Sequence, residues 1–228
     1  TAARMKRIGA SRVEIVLPLG LAPEDFVTLQ RTTCRRVDPV RFISVSRLLH
    51  WKGLHLSLVA FARSGLKRAE YWIIGDGPER GRLERLARDL CIADRVRFWG
   101  NLSRHEVLHR LSDSHVFVHP SLHEAGGWVC LEAMAAGKPV ICLDLGGPAV
   151  QVTREVGIKV PAHSPDQTVR DLARAMRQLA EDAPLRERMG ECARRHAEGR
   201  FQWPHIGARI NELYLSIVDR GLGRSLHV

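Results

Sequence analysis

The sequence has no apolar run approaching the ~20 residues that a membrane-spanning helix needs, and its N-terminus has no apolar secretory core. Both absences point to a soluble, cytoplasmic chain whose contact with a membrane is peripheral at most. Disulfide or thiolate-metal chemistry is equally poorly supplied. The five cysteines, Cys34, Cys91, Cys130, Cys142 and Cys192, are odd in number, scattered, and free of any CxxC spacing, which reads as reduced thiols. Lysine is scarce, since arginine dominates the 35 basic residues that set a net charge of +10. A basic surplus attracts phosphate of any origin, but no zinc-finger spacing or aromatic-rich RNA-binding signature accompanies it. In residues 78–90 the arginines alternate with Glu79, Glu84 and Asp89, the pattern of a solvated helix face with internal ion pairs rather than a nucleic-acid stripe. Nucleic acid is therefore not an expected partner.

What is present is a regular alternation. Short apolar, β-rich runs stand at 41–46, 71–75, 95–100, 115–120, 139–145 and 157–161. Between them, residues 52–65, 78–90, 103–113 and 129–137 carry helical periodicity. Strands alternating with helices predict an α/β, Rossmann-like parallel sheet with helices on both faces. Ser103 followed by Glu106 is a capping pair, and Gly137 before Pro139 is a helix stop. From residue 165 onward the pattern is helical only. Residues 12–20, RVEIVLPLG, read as a strand and turn that the other six do not need.

In open parallel sheets ligands meet the carboxyl ends of the strands. Three predicted strand ends carry unusual chemistry. Arg47 and Lys52 follow the first strand, Gly75-Asp76-Gly77-Pro78 the second, and HEAGGWVCLE, residues 123–132, the fourth. The last segment holds Glu124 and Glu132 eight positions apart. Fourteen glutamates in 228 residues would produce about one such pair by accident, so the spacing needs its context. Glu124 falls in the loop and Glu132 one turn into the next helix. Ala125, Gly126 and Gly127 between them let a ligand approach the main chain at a helix N-terminus, which attracts phosphate. Taken singly, Arg47 and Lys52 read as surface charges, Gly75 as part of a common turn, and Glu132 as exposed or paired with Lys138. Taken together, two hydroxyl-binding carboxylates around a phosphate cradle with two cations fit a nucleotide sugar. His115, His119 and His123 lie in a strand reading, where 115 and 119 stand about 13 Å apart; no metal is expected.

The segments SRLLHWKG, IIGDGPERGRLERLA, RVRFWGNLS, HVFVHPSLHEAGGWVCLEAMAAGKPVI and LDLGG stand in the order and approximate spacing of the C-terminal half of glycosyltransferase family 4, retaining enzymes of the GT-B fold, and the chain resembles that half over roughly residues 40–220. The resemblance implies that Glu124, first in an E-x7-E motif, contacts donor-sugar hydroxyls and that Glu132 holds the ribose. It further implies that Arg47 and Lys52 neutralise the diphosphate and that the segment from Phe98 through Trp99, Gly100, Asn101 and Leu102 lines the base pocket. Gly75, Gly126 and Gly127 complete the implied donor site. No cofactor and no metal are implied, and the sequence holds no DxD. The implied partners are a nucleotide-diphosphate sugar, a glycan or lipid-linked acceptor in polysaccharide or glycolipid synthesis, and an acceptor-binding N-terminal half.

The motifs depart from the family at two points. Ala125 and Gly126 replace the usual Gly-aromatic pair, and Val150 stands where a glutamate is common. By the resemblance, residues 1–39 are the remnant of an N-terminal domain or a linker, 40–202 the nucleotide-sugar domain, and 203–228 a final helix that turns Ile210, Leu213 and Leu215 toward the partner half. Because that half does not precede residue 40, the expected fragment is inactive alone. A non-catalytic nucleotide-sugar module and a GT-B epimerase or phosphorylase relative stay open beside the transferase.

Overall fold

The computed structural model describes residues 2–9, 19–29 and 39–224. Two short helices come first, α1 (Ala2–Arg7) and α2 (Pro23–Thr28). The alternating part then runs β1 (Val40–Val45), a 3-10 turn (His50–Lys52), α3 (Leu54–Arg63), β2 (Ala69–Ile74), α4 (Arg80–Asp89), β3 (Val96–Gly100), α5 (Arg104–Asp113), β4 (Val116–His119), α6 (Trp128–Ala135), β5 (Val140–Leu143), α7 (Gly146–Gln151) and β6 (Gly157–Val160). Three helices close the chain, α8 (Pro165–Glu181), α9 (Ala183–Arg200) and α10 (Trp203–Arg224). The six strands form one sheet in the order β3-β2-β1-β4-β5-β6, every pairing parallel. The expected fold class holds, and all six expected strands are present.

The strands are apolar on both sides because helices cover both faces. Along β1 and β2, Phe42, Tyr71 and Ile73 enter one core with Leu58 and Phe61 of α3, Leu83 of α4 and Leu172 and Met176 of α8. Their neighbours Ile43, Trp72 and Ile74 enter the other, with Leu108 and Leu111 of α5, Leu131 and Met134 of α6 and Ala193 and Ala197 of α9. The period-two alternation of strand side chains thus divides the interior into two layers.

Helix punctuation follows the sequence. Ser103 accepts a hydrogen bond from Glu106 N while the Glu106 carboxylate accepts from Ser103 N, a reciprocal cap on α5. Gly137 takes φ 70° just past α6. Part of the expected ion-pair pattern forms around α4, Arg80 with Glu84 and Arg82 with Glu79, and Arg80 also reaches Asp76 in the preceding turn.

Three features go beyond the sequence expectations. The helices α1, α2 and α7 were not foreseen; α7 is six residues long and begins on a glycine pair, too short for a periodic signal. Residues 12–18 of the expected extra strand lie outside the described residues. Within the segment assigned to a remnant or linker, Leu21, Phe26 and Leu29 are buried in the second core layer, and Leu21 exchanges main-chain bonds with Phe201 and Trp203. On α10, Ile210 and Leu213 are half-buried, while Tyr214, Leu215, Ile217 and Val218 are exposed.

Candidate functional site

The strand order reverses at β1: β2 and β3 lie to one side of it and β4 to β6 to the other. The adjacent ends of β1 and β4 therefore form the switch point, where an open parallel sheet leaves a crevice. Two loops meet there. Gly53 adopts φ 67°, and a Cβ on it would lie 2.0 Å from Pro120 O, so only glycine lets the β1 loop come this close to the β4 loop. Leu122 N then donates to Trp51 O at 2.8 Å. This lacing brings Lys52 to Glu124.

Lys52 Nζ lies 2.6 Å from Glu124 Oε2, with both side chains 18% exposed. His119, the last residue of β4 and almost fully buried, places Nε2 3.4 Å from the same oxygen, without hydrogen-bond alignment. Gly127 N donates to Glu124 Oε1 at 3.3 Å. The neighbouring His119 imidazole and then the Lys52 ammonium hold the Glu124 carboxyl down at about 2, against the opposing effect of its partial burial. Glu124 is a carboxylate throughout the physiological range.

The loop carrying Glu124 rests on α7. Gly146 has φ 60°, and a Cβ there would fall 1.9 Å from Glu124 O. Gly147 N donates to Glu124 O at 3.1 Å, and Gln151 Nε2 donates to Gly126 O at 2.8 Å. Gly127 takes φ 78° as it caps α6. Gly126 has no positive φ; its lack of a side chain leaves room for Leu19, whose Cδ1 would lie 2.5 Å from a Cβ.

Glu132 sits one turn into α6 and is only 8% exposed. Its Oε1 accepts from Arg104 Nη1 at 2.5 Å, and Arg104 Nη2 reaches Asp25 Oδ1 at 2.8 Å. Burial pushes the Glu132 carboxyl up from its ordinary value, and Arg104 opposes that shift. In place of the expected Lys138 pairing, Glu132 pairs with Arg104, while Lys138 Nζ donates to Ser112 O. The two carboxylates are thus held by separate cations arriving from different strand ends.

The other expected residues divide. Arg47 follows β1 and is exposed; its main-chain carbonyl accepts from Leu49 N at 2.9 Å, while its side chain pairs with no other described residue. Gly75 (φ 121°) and Gly77 press against the Arg47 loop; Cβ atoms on them would lie 2.0 Å from Ser46 O and 2.5 Å from Leu48 O. Gly75 also bonds Gly100 O through its N–H at 2.8 Å, so it supports the loop. The Trp99 ring packs edge-on to Trp72 and lies under the Arg110 guanidinium, 3.9 Å from ring centroid to Cζ. Trp99 and Leu102 line a recess of about 290 Å³ with His105, Glu106, His109 and Arg110, while Asn101 is exposed. Among the described residues no group of three His, Cys, Asp or Glu side chains is placed to hold a metal ion.

His119, Arg104 and the 146–151 segment escaped the sequence reading as site residues. Only Gly146-Gly147 carried a signal, as part of the LDLGG motif.

The parallel-sheet fold is shared with solved structures onto which the chain superposes. It covers 96% of itself and 56% of sucrose-phosphate synthase from Thermosynechococcus elongatus, with TM-score 0.76 and 24% identity. On the Anabaena protein HepE, solved in complex with UDP and glucose, the figures are 89%, 55%, 0.70 and 24%. The chain belongs to the family of glycosyl transferases group 1, whose model matches residues 29–196. It is 37% identical over 153 residues to the lipopolysaccharide core biosynthesis glycosyltransferase LpsD of Rhizobium meliloti strain 1021, covering 67% of this chain and 42% of that one. The chain thus spans less than half the length of that relative.

Proposed function

We propose that this chain supplies the donor-binding part of a glycosyltransferase that uses a nucleotide-diphosphate sugar and retains its anomeric configuration, the C-terminal half of a family 4 enzyme with the GT-B fold. The observation that carries the reading is the Lys52–Glu124 pair at the β1/β4 switch point. It places a fixed carboxylate and a cation together where a sugar and a diphosphate would meet, with Arg47 exposed on the neighbouring loop. Family membership supports the reaction class, and the UDP and glucose seen in HepE support the ligand class.

In this reading Glu124 accepts hydroxyls of the donor sugar, its charge guaranteed by His119 and Lys52. Lys52 and Arg47 take up the negative charge that develops on the departing diphosphate, in place of a metal. The N-terminus of α6, opened by Gly126 and Gly127, adds the partial positive charge of its N–H groups. Glu132 accepts from the ribose, and the segment from Phe98 to Leu102 borders the base.

The acceptor, glycan or lipid-linked, belongs to an N-terminal half, and the protein works in the cytoplasm or at a membrane surface. No helix among the described residues is long and apolar enough to cross a membrane. In this division residues 40–202 form the donor domain and 203–228 the terminal helix, with residues 1–39 leading in from the other half.

Calorimetry with UDP, GDP and ADP in the presence of EDTA tests the reading. One exothermic site for at least one nucleotide is the expected result. Absence of binding to all three and to their glucose conjugates, with stabilisation by oligonucleotides instead, would replace it with a charge-driven reading.

A further inference from the structure

The ribose carboxylate of the proposed site is not free-standing. Glu132 is nearly buried, and its Oε1 is taken by Arg104. Its Oε2 has no hydrogen-bond partner among the described residues. Arg104 is the first residue of α5, placed by the Ser103 cap, and its guanidinium spans from Glu132 to Asp25 of α2. Asp25 is itself fixed, since its Oδ2 accepts from Ala22 N at 3.0 Å.

We infer that Arg104 is a positioning residue for nucleotide recognition: it keeps Glu132 ionised in a buried setting, fixes its rotamer, and leaves Oε2 as the acceptor for a ribose hydroxyl. A buried carboxyl without a cation protonates readily and then loses the acceptor capacity that a hydroxyl donor needs. A guanidinium held at both ends by carboxylates supplies that cation with a fixed direction. Asp25, a second negative group, opposes Glu132 ionisation slightly while anchoring the guanidinium.

Among the described residues, Arg104 is the one basic side chain paired with Glu132. On the elements packed against α6, Arg194 of α9 turns to the carbonyls of Leu29 and Ala135, and His196 faces that of Gln151. His119 of β4 faces Glu124, and Cys142 of β5 is a buried thiol pushed up to about 12.

The inference rests on the proposed nucleotide site, and one experiment separates the two. Dissociation constants of the nucleoside diphosphate that the wild type binds, and of its 2′,3′-dideoxy form, are measured at pH 8 and pH 6 for wild type, Arg104→Ala, Arg104→Lys and Asp25→Asn. Arg104→Ala is expected to weaken the ribonucleotide about tenfold or more, with a further loss at pH 6 that the wild type does not show. The dideoxynucleotide should be insensitive to the substitution, and Arg104→Lys should restore most of the pH 6 affinity. Asp25→Asn, which frees one end of the guanidinium, should give a smaller loss of the same sign. Unchanged ribonucleotide binding in Arg104→Ala would overturn the inference, as would equal losses for both nucleotides with a wild-type pH profile. A wild type that binds no nucleotide at all would remove the proposed site itself.

Discussion

Lys52 Nζ approaches Glu124 Oε2 to 2.6 Å across the seam between β1 and β4, so the carboxylate at the centre of the site is held by a cation from the neighbouring strand end. With His119 on the same oxygen, its folded pKa of about 2 lies below the roughly 4.3 of an unfolded glutamate. Such a group contributes stability above its unfolded pKa, and that contribution is lost as pH falls from about 4.3 toward 2. Discounted for the group's partial exposure and for the misaligned His119 contact, the shift corresponds to about 1 to 2 kcal/mol. Glu124→Gln should therefore lower stability at pH 7 by up to about that amount and flatten the fall between pH 4 and pH 2. Urea unfolding of both proteins across that range checks it, and parallel curves would contradict the assignment.

The two carboxylates should separate by ligand. Glu132→Ala is expected to weaken the bare nucleoside diphosphate by about 1 to 3 kcal/mol, because the ribose is common to every donor. Glu124→Ala should leave the bare nucleotide nearly unaffected and weaken the sugar nucleotide. Paired titrations of both ligands decide it; equal losses in both mutants would remove the division of roles.

Gly146→Ala forces a Cβ against Glu124 O, 1.9 Å away, from a φ of 60° that alanine disfavours. The loop carrying Glu124 must shift or α7 must unwind. A stability loss of about 2 kcal/mol or more is expected, with weaker sugar-nucleotide binding. Gly199→Ala, in α9 with open space around it, is the matched control and should be neutral or slightly stabilising. Thermal unfolding and titration of the two variants make the comparison.

Ser103→Ala removes the side-chain half of the α5 cap. About 1 kcal/mol of stability should go with it. Because Arg104 begins that helix, nucleotide affinity should fall as well, and calorimetry on a folded sample below the melting temperature would show it. A stability loss with unchanged affinity would mean that α5 holds Arg104 without its cap.

The chain alone should transfer no sugar. In the proposed enzyme the acceptor and part of the site come from the other half, and positioning by closure contributes several kcal/mol to catalysis. Product formation from sugar-nucleotide donors is measured for this chain alone and with the N-terminal half of a relative such as LpsD supplied. Robust acceptor-dependent turnover without a partner would show that the site is complete. Tyr214, Leu215, Ile217 and Val218 on α10 should also give weak self-association in sedimentation, reduced by Leu215→Glu and Ile217→Glu together.

Much of the architecture was set by local sequence. Strand and helix periods, the Ser103–Glu106 cap and the Gly137 stop are written within a few residues of where they act, because side-chain period and backbone φ are short-range properties. They suffice for a parallel sheet and for the placing of Glu124 in a loop and Glu132 in a helix. Which cation meets which carboxylate was beyond them. Lys52 and Glu124 are 72 residues apart, Arg104 and Glu132 are 28 apart, and Asp25 lies 79 residues from Arg104. Those meetings depend on the strand order that puts β4 beside β1, on Gly53 and Gly146 allowing backbones to touch, and on Leu21, Phe26 and Leu29 docking α2 into the core. Charge pairing is a matter of distance in space, and only the packed chain decides that distance.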